Sequence, residues 1–143
     1  MSVSNQRNSP NLDEHGWERA LAAANPAMLL ICIERRIWPA LAAKVAAEDV
    51  LQDTLLAAWE ARDKFEGGGP RAFRSWLLRI AEYRICALAD HHTAQKRGGG
   101  VAVKQLEDSR ISGAIPHSAT PSRVAWYREQ ASALRAALES LPD

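Results

Sequence analysis

The side chains able to do chemistry are few in this 143-residue chain, and their spacing does not suit catalysis. Asp90, His91 and His92 form the one string that invites a metal ion. Adjacent histidines on a helix point about 100° apart, so these two do not converge on one ion. Cys86 and the remaining carboxylates stand at no recognisable ligand spacing from them. His91 is expected at the edge of a core, and His92 toward solvent or a phosphate. Gly67–Gly69 and Gly98–Gly100 lack the preceding strand that makes a phosphate cradle, and no nucleophile elbow occurs. The expectation is a chain that is not an enzyme, with no cofactor and no metal.

Two charged patterns carry more information. In the helix expected over Ala46 to Arg62, Leu51, Leu55, Ala58 and Trp59 share one side and suit a core. Asp49, Gln52, Asp53, Leu56 and Glu60 share the other. That acidic face around one leucine reads either as a solvated surface or as a docking face for a basic helical partner. In the helix expected from about Arg71 to Lys96, Phe73, Trp76, Leu77, Ile80, Ala87 and Leu88 form the core stripe. Arg71, Arg74, Arg79, Lys96 and Arg97 surround it, as a plain cationic surface or as phosphate contacts.

The elements that must hold these residues are helical. Residues 1–11 read as a disordered lead. From Leu12 to about Lys96 the text is rich in Ala, Leu, Glu and Arg, with no sustained alternation of period two. Asn25-Pro26 ends one helix and opens the next, Pro39 interrupts the segment from Ala27 to Val45, and Gly67–Pro70 breaks the chain again. Residues 98–121 read as a linker and 122–143 as a further helix with a turn beyond it. The expected fold is all-α: a compact helical bundle over 12–97, a flexible linker and a C-terminal helix.

Composition sets the outer limits. With 47% apolar and 24% charged residues the chain is an ordinary globular protein, which excludes collagen, wholesale disorder and a disulfide scaffold. Cys32 and Cys86 fit small core thiols in a reducing compartment, and a disulfide between them stays open. The lead is no secretory signal, and the apolar stretch Ala27 to Ile33 is far shorter than the ~20 residues of a membrane span. A soluble cytoplasmic protein is the expectation. The net charge of +1 is a cancellation. Residues 12–66 carry six basic and ten acidic groups, and residues 67–97 carry six basic and two acidic. A uniformly basic protein is excluded; a nucleic-acid binder with separated faces is not.

The run from Ala46 through Glu48-Asp49, Gln52-Asp53 and Ala58-Trp59, then Asp63-Lys64-Phe65 and a Gly-containing loop, leads into Phe73-Arg74-Ser75-Trp76-Leu77-Leu78-Arg79-Ile80-Ala81. In order, spacing and residue type these 36 residues resemble region 2 of bacterial sigma factors. The resemblance is to the extracytoplasmic-function branch of the sigma-70 family. Met28 to Ile37 matches the first helix of that region. Pro121 to Asp143 looks like the end of the interdomain linker and the opening of region 4.

The resemblance implies a factor that binds core RNA polymerase and recognises and melts the −10 promoter element. Asp49, Gln52 and Asp53 match the patch that docks on a coiled coil of the largest core subunit, and Leu56 and Glu60 extend it. The loop around Phe65, Gly67 and Gly68, with Arg71, Arg74, Arg79, Tyr83, Lys96 and Arg97 on the helix, matches the part that contacts promoter DNA and captures an unpaired non-template base. Tyr83 and Ala87 stand where relatives often carry Asn and Asp, so Tyr83 reads equally as a base-stacking ring or a core cover. Beyond its first residues region 4 is missing. The alternative is therefore a sigma-like interaction module or decoy without promoter activity, and an anti-sigma factor is a further candidate partner.

Overall fold

The computed structural model describes residues 12–96 and 115–142; the expected lead over 1–11 and most of the expected linker lie outside the described residues. The described elements are α1 (Glu14–Ala24), α2 (Pro26–Arg36), the short α3 (Pro39–Ala42), α4 (Ala47–Glu60), a 3-10 turn (Arg62–Lys64), α5 (Gly69–Lys96), a second 3-10 turn (His117–Ala119) and α6 (Pro121–Glu139). There is no strand among the described residues. The all-α reading holds.

Local chemistry explains the boundaries. Asp13 caps α1, its carboxylate accepting from the Gly16 N–H at 2.7 Å. Asn25 sits in the left-handed region at φ 63° and ends α1. Its side chain then accepts from Met28 N–H at 3.3 Å and opens α2, with Pro26 in the first turn. Pro39 starts α3 instead of prolonging α2. Gly67, Gly68 and Gly69 all have positive φ, and a Cβ on Gly68 would lie 2.8 Å from Ala72 Cβ. Glycine at 68 is thus required by the turn itself.

Helix α2 occupies the middle. Leu29, Leu30 and Ile31 are buried in succession, with Ala27 and Ile33 beside them. Three consecutive buried residues point in three directions, so α2 needs cover on several sides. It packs against α1, α4, α5 and α6. Trp17 of α1 is fully buried and meets Trp59 and Phe73 edge-on at 5.4 and 5.6 Å. Phe65 and Trp76 extend this cluster against Phe73, closing the loop before α5 onto the bundle.

Three details differ from the sequence reading. Ala87 is exposed, because the buried stripe of α5 is rotated toward Ala81, Arg84 and Ile85. Val50 and Thr54 join Leu51, Leu55 and Ala58 in the buried side of α4; the Thr54 hydroxyl is satisfied by donating to Val50 O at 2.7 Å. The end of the expected linker is packed: Ser118 and Ala119 are buried, and Ser118 Oγ accepts from Trp17 Nε1 at 2.8 Å.

Ser118→Ala leaves that buried indole N–H without its acceptor, and is expected to cost about 1–3 kcal/mol in urea unfolding. Burial pushes the Tyr127 phenol above its usual 10.0, with Glu18 adding to the rise and Arg123 opposing it. Its folded state thus favours the neutral ring, a contribution present below pH about 10 and lost as pH rises through the folded pKa. Stability of the wild type should fall faster there than that of Tyr127→Phe; parallel alkaline curves would count against this account.

Candidate functional site

The acidic face forms on α4, but its members are not equally available. Asp49 and Glu60 are exposed, while Gln52, Asp53 and Leu56 are half-buried. Leu56 packs against the core edge. Gln52 Nε2 donates to the Ala119 carbonyl at 3.0 Å. Glu48, one residue before Asp49, faces Arg128 of α6 at 3.6 Å. Glu48 and Asp49 in the first turn also complement the helix dipole.

Asp53 is committed to a partner. Its Oδ2 accepts from Arg84 Nε at 2.8 Å, and the Arg84 side chain is only 5% exposed. This ion pair ties α4 to α5. The charge pattern of α5 did not single out Arg84. The signal was present: Arg84 follows Leu77 by seven residues and Phe73 by eleven, which returns it to the buried stripe of α5. A cation there requires an anion on the facing helix, and Asp53 is that anion.

The basic face is a row on α5. Arg71, Ser75, Arg79 and Tyr83 recur every four residues, and all four are exposed. Tyr83 is 75% exposed, so its ring does not cover the core. Arg74 is placed differently from the sequence reading: half-buried, its Nε donates to Ala24 O at 2.9 Å and satisfies a carbonyl at the end of α1. Phe65 is buried in the aromatic cluster, while Glu66 and Gly68 of its loop are exposed and Gly67 is half-buried. The Lys96 side chain and all of Arg97 lie outside the described residues.

Among the described residues no three His, Cys, Asp or Glu side chains group as metal ligands, and the His92 side chain lies outside that set. Cys32 and Cys86 are unbridged. No helix among the described residues is long and apolar enough to cross a membrane.

An acidic helix face on α4 and a cationic, aromatic one on α5 are thus joined through Asp53 and Arg84. Residues 33–97 match the family model of sigma-70 region 2. That match takes in somewhat less than half of the chain. The chain is also similar to the RNA polymerase sigma factor NccH of Alcaligenes xylosoxydans xylosoxydans, with 33% identity over 69 residues. That match takes in 48% of this chain and 35% of the relative, so the chain spans about a third of the curated relative's length. No solved structure matches. The region 2 match includes α4, the 3-10 turn at Arg62–Lys64 and α5, and stops short of α6.

Within the matched region the Asp53–Arg84 pair is a structural tie. Arg84→Ala strands a half-buried carboxylate and opens a gap between α4 and α5. A loss of about 3–5 kcal/mol is expected, read as a lowered midpoint in chemical denaturation. An unchanged midpoint would show the pair to be dispensable.

Proposed function

We propose that this chain is a sigma-type transcription initiation factor of the extracytoplasmic-function type. It binds core RNA polymerase through the acidic face of α4 and takes hold of the −10 promoter element with α5. Region 2 supplies no covalent chemistry for this task; binding energy and charge placement suffice. The observation that carries the reading is the exposed row Arg71, Ser75, Arg79 and Tyr83 within the sigma-70 region 2 match. Cations along a ridge hold successive phosphates, which gives affinity without sequence information. An aromatic ring with no apolar cover gives an unpaired base a surface to stack on. Stacking an extruded base offsets part of the few kcal/mol that unstacking costs, and so favours the open duplex.

On the other face, Asp49 and Glu60 offer charge to a basic helical partner, and Leu56 offers an apolar edge. The matching patch of sigma factors docks on the coiled coil of the largest polymerase subunit, which fits a partner of this chemistry. Asp53 contributes chiefly by fixing α4 to α5, and Arg74 by fixing α5 to α1. The alternative is a sigma-like decoy that binds polymerase without starting transcripts. Run-off transcription with reconstituted polymerase separates the two.

Tyr83→Ala is expected to weaken binding of a single-stranded −10 oligonucleotide by about 1–3 kcal/mol in fluorescence anisotropy. Arg79→Ala should reduce the slope of log affinity against log salt by about 0.7. A wild-type affinity independent of salt contradicts the electrostatic account. Asp49→Arg should weaken binding to core polymerase by about tenfold or more; undiminished binding would remove α4 as the docking face.

A further inference from the structure

The docking face of α4 already has an occupant from the same chain. The segment from Pro116 to Glu139 crosses α4 and then runs along α2. Its first part is pinned by two hydrogen bonds: Trp17 Nε1 to Ser118 Oγ, and Gln52 Nε2 to Ala119 O. Its helix, α6, buries Val124, Tyr127 and Ala131, which recur at i, i+3 and i+7 as one stripe. Two ion pairs flank the stripe, Arg128 with Glu48 and Arg135 with Glu34. The recess between α4 and α6 has a volume of about 290 Å3 and is lined by Asp49, Gln52, Val124 and Arg128. A helix is about 10–12 Å across with its side chains, so no helical partner fits that recess while α6 stays in place.

We propose that the Pro116–Glu139 segment is an intramolecular occupant of the polymerase-docking surface, and that core polymerase binds only chains in which this segment has left α4. The inference rests on the docking role given to α4 above. Closed, the segment uses the amide of Gln52 and neutralises Glu48 with Arg128. Open, both groups are presented beside Asp49, and the uncovered surface gains the negative charge that draws a basic coiled coil. The apparent affinity for polymerase then equals the intrinsic affinity reduced by the fraction of open chains. The flanking ion pairs are exposed and contribute modestly. The buried stripe and the Trp17–Ser118 bond provide the main hold.

The full chain tests this directly. Glu34→Cys and Arg135→Cys, in a Cys32→Ser and Cys86→Ser background, are joined by a short bis-maleimide; the same chain capped with a mono-maleimide is the control. Equilibrium binding to core RNA polymerase is the readout. The bridged chain is expected to bind at least about tenfold more weakly than the control. Arg128→Glu combined with Arg135→Glu is expected to tighten binding by about threefold to tenfold. Equal binding by bridged and control chains overturns the proposal. If Asp49→Arg still weakens binding in that case, the docking role of α4 stands and only the occupancy fails. If Asp49→Arg has no effect, or the control does not bind at all, the docking role fails and the occupancy with it.

Discussion

The rest of the structure depends on one constraint: α2 is apolar around most of its circumference. Leu29, Leu30 and Ile31 fan through about 200° of this helix, so no single neighbour can cover them. An isolated helix with such a sequence gains nothing from exposing one face and hiding another, so neighbours must enclose it. α1, α4, α5 and α6 do so, and the bundle is the result. The two charged faces lie on α4 and α5, whose buried sides help enclose α2.

The polar contacts add specificity to this enclosure. Asp53 and Arg84 set the relation between α4 and α5 at a half-buried position, where a missing partner costs far more than a present one contributes. Arg74 fastens α5 to the end of α1. Trp17 ties α1 to the 3-10 turn before α6 and stands at the head of the aromatic cluster. A single bundle therefore holds a negative face and a positive face in fixed relation, which suits the bridging role proposed for the chain.

Much of this was legible in the residues. Asn25-Pro26 announced a helix junction because Asn tolerates a left-handed φ and Pro suits a first turn. The apolar periodicity placed Leu51, Leu55, Phe73 and Leu77 in the core. Other assignments needed the neighbours. Helical spacing puts Ala87 on the side of Phe73 and Ile80, yet the buried stripe is centred further round, on Leu77, Ala81 and Arg84. Phe65 lay in a loop whose burial depended on Phe73 and Trp76 being within reach. Arg74 and Arg79 look alike in sequence; only the end of α1 beside one of them makes it a tie instead of a surface cation.

By itself the sequence determined the all-α class, the helix breaks, the separation of acidic and basic segments and the region 2 pattern. These are local properties, written in residue type and spacing. Only the tertiary structure decided which charges are spent inside the protein and which face outward. Asp53 and Asp49 sit four residues apart on one helix, and one is paired with Arg84 while the other is exposed. The packing of α6 against α2 and α4 was equally out of reach, because a buried amphipathic stripe states that a helix must dock and does not state where. That answer came from α2, whose uncovered side needed a neighbour.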